Sequence, residues 1–319
     1  MKNRRIIDFV GHSKIYFGIS AAIIIIGIIC NFIFGTKLDI TFSGGSMVKY
    51  TYTGQVDEQK LKDTLQKVTE DEVTFSISEN LIAGTESSAE GYLVTVQFPG
   101  NDTITTDQQA TMTDALEKTF KDNNFQYSES NSVDATMGSK FFLKCLMAVA
   151  IASILMVLFV TIRFKRISGF SAGVTGLIAL FHDVIIIYFI FVIFRMPIDS
   201  NFIAVVLMIL GYSLNDTIVI YDRVRENQRL WGKRKTTAEI FNLSASQMIK
   251  RTLMTSITTF IAIATVYVVA IVFNLTSVQS FALPMMFGII SGAYSSICIA
   301  GPLWVLWQNK KDANGTSKK

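Results

Sequence analysis

Asp216 stands inside an apolar run that opens at Phe202 and meets charge again only at Asp222-Arg223. Read as a membrane helix, the run places this carboxylate about 10 Å of helix rise from its charged end. A carboxylate in hydrocarbon costs at least a few kcal/mol, and such groups usually face a polar interior or an ion path. Ser213 and Asn215 accompany it. The following span opens with Lys250-Arg251-Thr252 and continues through Thr255, Ser256, Thr258 and Thr259. An earlier span holds His182-Asp183, about 20 Å of rise from its basic end.

A carboxylate on one helix, a guanidinium on its neighbour and hydroxyls between them are the materials of a proton relay. Desolvation favours the neutral acid and a nearby cation favours the ion. A group that alternates between those settings can take up a proton on one side and release it on the other. This assigns Asp216 as carrier and Arg251 as opposing charge, with Asn215 and Thr255 as support. The same residue types also make a structural ion pair that fixes helix register, or leave Arg251 to snorkel to the interface. The spacing admits both readings. For His182-Asp183 a helix–helix hydrogen bond is the simpler reading beside a relay role. Asp222, Arg223, Arg225, Glu226 and Arg229 read as a solvated interfacial cluster, with Asp222 a secondary relay candidate.

Other chemistries find little support. The three cysteines, Cys30, Cys145 and Cys298, all fall in apolar runs and imply buried thiols rather than a disulfide framework. No CxxC or HExxH spacing occurs, so neither metal nor cofactor is expected. Tyr221-Asp222 spells the YD pair of intramembrane aspartyl proteases, but no GxGD follows in a later span.

The elements that position these residues are legible from hydropathy and charge. Half of the residues are hydrophobic and 17% are charged, and apolar runs of spanning length recur, which makes this an integral membrane protein. Charge is segregated: residues 37–134 carry a net −10, and the remainder a net +14. A basic segment, 1–14, precedes a first span at 15–35. It lacks a cleavage site and reads as a retained helix. Five further runs, near 141–162, 169–194, 198–221, 252–273 and 278–307, form a bundle over 139–308. Their connections alternate between basic (163–166, a long loop at 223–251, and the tail 309–319) and short and uncharged or nearly so (195–199, 274–277). The positive-inside rule then places both termini in the cytoplasm and the acidic domain, 36–138, outside. Gly169, Gly173 and Gly176, with Gly288 and Gly292, offer small faces for close helix packing, and Pro284 should kink the last span.

Within the acidic domain, alternation predicts strands at Met47–Tyr52, Glu72–Ser78, Tyr92–Phe98 and, more weakly, Phe125–Ser130. Helical periodicity covers Val56–Val68 and Thr105–Asp122, and 84–91 reads as a loop. The order βαββαβ predicts a ferredoxin-like split βαβ domain. Its acidity argues against nucleic-acid binding.

Gly211 to Asn227, GYSLNDTIVIYDRVREN, resembles the signature of the SecF branch of the SecD/SecF family, within the RND superfamily. Arg251 to Thr259, the His182-Asp183 pair and the six-span layout with one large external domain resemble it along essentially the whole chain. Three segments depart from the family pattern: Thr41-Phe42-Ser43-Gly44-Gly45, Val133 to Gly138, and Ser244 to Lys250. The first two lie at the hinges of the external domain.

The resemblance implies a non-enzymatic subunit of preprotein export in the bacterial cytoplasmic membrane. It implies SecD as obligate partner in a twelve-helix unit driven by a proton or sodium gradient. Assistance to the SecYEG channel after SecA-driven insertion would follow, with YajC and YidC as further partners and translocating preproteins as cargo. It places Asp216 and Arg251 at positions implicated in proton conduction. A half-sized RND-like exporter of small molecules or lipids is the alternative, and a purely structural assembly factor a further one.

Overall fold

The computed structural model describes residues 6–69, 74–79, 91–99, 104–133, 135–232, 234–273 and 275–316. The loop expected over 84–91 lies outside them except for Gly91, where a strand begins.

Helix α1, Ser13–Phe34, leads through a one-turn α2, Ile40–Ser43, into a four-stranded sheet. That domain runs β1 Gly45–Thr53, α3 Glu58–Thr69, β2 Thr74–Glu79, β3 Gly91–Pro99, α4 Thr106–Thr119 and β4 Gln126–Val133. The bundle follows as α5 Ala135–Arg163, α6 Gly169–Ile193, α7 Ser200–Trp231, α8 Thr237–Val272 and α9 Thr276–Ser295. A π-helical turn, Ser296–Ala300, joins α9 to α10, Gly301–Thr316. Six helices are long and apolar enough to cross a membrane: α1, α5, α6, α7, α8 and the continuous α9–α10 run.

The sheet is antiparallel throughout, in the order β2-β3-β1-β4, which is the ferredoxin-like arrangement. Alternation sends Val48, Tyr50 and Tyr52 of β1, and Val94, Val96 and Phe98 of β3, to one face. Leu61 and Leu65 of α3, and Met112 and Leu116 of α4, close over them. Burial pushes the Tyr52 phenol up to about 12. A capping box starts α4: Gln108 N–H donates to Thr105 Oγ1, and Thr105 N–H to Gln108 Oε1.

The domain sits on the bundle through paired contacts. Ile198, between α6 and α7, donates its N–H to Lys37 O at 2.8 Å and accepts from Asp39 N–H at 3.1 Å. The Asp39 carboxylate accepts from Thr41 N–H and hydroxyl and, at 2.8 Å, from Gln97 of β3. Phe42 stacks on Phe141 of α5 and meets Phe142 edge-on. Gly138 permits that approach, since a Cβ there would lie 2.9 Å from Gly44 N. Both hinge segments that depart from the family pattern thus meet in one joint. Asp199, which caps α7 by accepting from Asn201 and Phe202 N–H, is raised by burial and by Asp39.

The bundle divides by burial. Of the apolar stretches, 56% is buried in α6, 56% in α7 and 67% in α9–α10, against 11% in each of α1, α5 and α8. The first three form the middle, and the others present faces to lipid or to another chain.

Two boundaries differ from expectation. The loop placed at 223–251 is helical over 223–231 and 237–251: α7 runs on to Trp231, and α8 starts at Thr237 behind a Thr236/Glu239 capping box. Charge there marks the end of the membrane, not the end of the helix, because helix hydrogen bonds are satisfied internally in either solvent. Asn227 Nδ2 donates to Ser244 Oγ at 2.9 Å and to Gln247 Oε1 at 3.0 Å, stitching the hairpin. Likewise the tail placed at 309–319 is helical to Thr316.

The amino terminus is latched to this hairpin. Asn242 Oδ1 accepts from Phe9 and Val10 N–H, and its Nδ2 donates to Asp8. Gly11 N–H and Asn242 hold the Asp8 carboxyl below its ordinary value. The latch is therefore intact above the usual carboxylate range and lost only as pH falls through that lowered value.

Leu65→Ala should lower the stability of the sheet domain by about 2–5 kcal/mol, read by pulse proteolysis of the full chain in urea. Asn242→Ala should free residues 6–12, seen as faster amide exchange there, with exchange in α8 unchanged below Lys250.

Candidate functional site

Asp216 lies on α7 and is 3% exposed. Its Oδ2 is buried and has no hydrogen-bond partner in the chain. Two side chains of α8 act on it, Arg251 through its charge and Ser256 through a side-chain hydrogen bond. Arg251 is exposed and makes no ion-pair contact with it. The structure thus brings Asp216 and Arg251 to the same α7–α8 seam without closing a salt bridge. The hydroxyl Ser256 also accepts from Tyr212 at 3.3 Å. A mainly apolar groove of about 460 Å³ between α8 and α9 reaches Ser256, Tyr294 and Cys298.

Other expected members are placed differently. Thr255 donates to its own helix at Arg251 O, so Ser256, one position on, takes its place beside the carboxylate. Asn215 is exposed on α7, on one stripe with Leu207, Met208 and Gly211. Asp222 sits outside the seam, paired with Arg163 at 3.2 Å and Arg225 at 2.6 Å.

A second polar centre lies in the middle of the bundle. Asp183 is fully buried on α6. Its Oδ2 accepts from Ser213 of α7 at 2.8 Å and Ser295 of α9 at 2.7 Å. Its Oδ1 accepts from Ser291 of α9 at 2.5 Å and faces His182 Nδ1 at 3.2 Å. Gly292 lets α9 approach α7 here, since a Cβ on it would stand 3.0 Å from Ser213 Cβ. Toward the hairpin end further hydroxyls pair across helices. Thr217 donates to Ser296 at 3.0 Å, Thr175 meets Tyr221 at 3.0 Å, and Tyr221 donates to Ala300 O at 3.2 Å. Sequence reasoning missed Ser291, Ser295 and Ser296. Their signal was the i, i+4 spacing of two serines in an apolar helix.

The arrangement sets two buried carboxylates among hydroxyls of neighbouring helices, Asp183 with both oxygens engaged and Asp216 with one oxygen unpaired. No group of three or more His, Cys, Asp or Glu side chains that could hold a metal ion occurs among the described residues.

Comparison with known proteins agrees with this architecture. Residues 111–310 match the family model "Protein export membrane protein SecD/SecF, C-terminal". The chain is 33% identical to protein translocase subunit SecF of Petrotoga mobilis over 299 residues, covering 93% of this chain and 94% of that one. It is 31% identical to protein translocase subunit SecDF of Bacillus subtilis, covering 95% of this chain but 38% of that one. Among solved structures, SecDF from Thermus thermophilus, described as a translocon-associated membrane protein, superposes with a TM-score of 0.76 at 26% identity. The superposition takes in 96% of this chain and 39% of that one. With the family model matching well over half of its length, the chain belongs to the SecD/SecF family of protein export membrane proteins.

Proposed function

We propose that the chain is the SecF-type subunit of the Sec preprotein export machinery, acting with a SecD-type partner to couple an ion gradient to late steps of translocation. The observation that carries the coupling is Asp216: a buried carboxylate with an unpaired oxygen, across a seam from a guanidinium it does not touch. Such a pair has room to close and reopen as the carboxylate gains and loses a proton. A structural ion pair would be closed. The reading leaves SecYEG, SecA, YajC and YidC as machinery-level partners and makes the protein a transducer rather than an enzyme.

Need for a second chain is supported by the same helix. Asn215 lies on an exposed α7 stripe in an apolar span, where lipid offers its amide no partner. Relatives named SecDF contain this chain as about two fifths of their length. A matching half facing the stripe would both cover Asn215 and complete the Asp216 seam.

In intact cells or inverted vesicles, Asp216→Asn should reduce gradient-dependent export to the level seen without the chain, while the SecD-type partner still co-purifies. Unchanged export would remove the relay role and favour an assembly role. Ser256→Ala should give a smaller loss than Thr255→Ala if Thr255 were the working hydroxyl; the geometry predicts the reverse order, with Ser256→Ala the more damaging. Orientation is read by labelling. With the native cysteines confined to spans, a Lys60→Cys variant should react with an impermeant maleimide in intact cells, and Lys235→Cys only after permeabilisation. Loss of efflux rather than of preprotein release on deletion would point to an exporter.

A further inference from the structure

We infer that His182 and Asp183 form a second, enclosed proton-binding site, in which His182 Nε2 takes and releases one proton and the serine-held Asp183 carboxylate is the fixed counter-charge. The inference goes beyond the export role and does not depend on Asp216 carrying ions.

Saturation of the carboxylate carries the argument. A carboxylate offers about four acceptor positions, and Asp183 has four groups directed at it. Ser213 and Ser295 donate to Oδ2, and Ser291 donates to Oδ1, which also faces His182 Nδ1. An oxygen with an acceptor role toward Ser291 faces a ring nitrogen best as N–H, which assigns the proton of the neutral imidazole to Nδ1. The lone pair then sits on Nε2. That atom is buried, in a residue 7% exposed, and has no partner in the chain. A proton arriving at the site finds the carboxylate filled and Nε2 free. A sodium ion finds no open oxygen, because each Asp183 oxygen already has two donors.

The surroundings leave the ring as the group that changes charge. The Tyr294 ring of α9 lies beside the imidazole, with Tyr16 of α1 against it, Cys298 on the π turn and Asp216 one turn beyond Ser213 on α7. The other tyrosines of α6 and α7 are engaged elsewhere, Tyr188 with Asn31, Tyr212 with Ser256 and Tyr221 with Ala300 O. Lys14 and Cys30 of α1 and Cys145 of α5 complete the titratable groups of these helices, apart from the Lys and Arg of α5 and the charged hairpin end of α7. The Tyr294 ring lies 6.3 Å from His182, and its hydroxyl is committed to Tyr16 O at 2.7 Å. Neither α6 nor α9 carries Lys or Arg, and α5 carries its cations, Lys140, Lys144 and Arg163, toward its ends. Loading the site therefore adds the one positive charge opposite Asp183. Unloading leaves an anion held by hydroxyls from α7 and α9, so occupancy alters the clamp joining the three central helices.

The chain contains only two histidines, so His12→Gln leaves His182 as the single imidazole. In 15N-histidine-labelled full chain reconstituted in lipid bilayers, Nε2 should pass from unprotonated to protonated in one step within about pH 5–9. Asp183→Asn should require about tenfold more protons for the same change, while Asp216→Asn leaves it in place. Should Asp183→Asn not fold, Ser291→Ala serves instead. It strips one donor from the carboxylate and should move the step to lower proton concentration. An Nε2 that keeps one form across that range in folded protein overturns the proposal. So does a step indifferent to both variants, or one that shifts when sodium replaces potassium at fixed pH.

Discussion

A single ionisable group buried where it cannot reach water constrains the centre of this bundle. Asp183 is accommodated because three hydroxyls from two other helices meet it. Interhelical hydrogen bonds in membranes average about 0.6 kcal/mol each by double-mutant cycles, so affinity alone does not explain them. Their effect is to fix geometry. Three serines on one carboxylate leave α6, α7 and α9 little freedom to rotate or slide. Asp216, one turn beyond Ser213, inherits its depth and direction from that fixed point. The Asp216 seam differs on its other side, where Arg251 of α8 is exposed and makes no ion pair with the carboxylate. One carboxylate is thus clamped and the other left with an unpaired oxygen, on adjacent stretches of the same helix.

Much of this was legible in the sequence, and the reasons differ by element. The six spans and the ferredoxin-like order followed from runs and alternation, which report burial directly. Asp216 and Arg251 were legible because a charge in hydrocarbon is costly enough to stand out. The choice of Ser256 over Thr255, and the serines of α9, were not, since a hydroxyl can satisfy itself on its own helix, as Thr255 and Thr258 do. Composition cannot distinguish those two uses. The hairpin beyond Asp222 was hidden for a related reason: hydropathy locates the membrane surface, whereas helix continuity here rests on caps and on Asn227, Ser244 and Gln247.

The sheet domain is an ordinary two-layer fold with a separate core, joined to the bundle at a few specific contacts. Its buried set is closed by α3 and α4, without help from the membrane helices. The joint is aromatic and backbone-mediated, through Phe42, Phe141, Phe142 and the Gly44–Gly138 approach. Its core is thus self-contained, and the joint to the bundle is compact.

The backbone clasp at Ile198 belongs to that joint. Ile198 precedes α7 by two residues and is hydrogen-bonded on both sides to Lys37 and Asp39, the stem that leads into β1. A tilt of α7 that left the domain behind would have to sever both bonds and strand a buried carbonyl and amide. The stem is therefore pinned to the head of α7 like a crank to its shaft, so that any displacement of the helix carrying Asp216 would be passed to the strand that follows the stem.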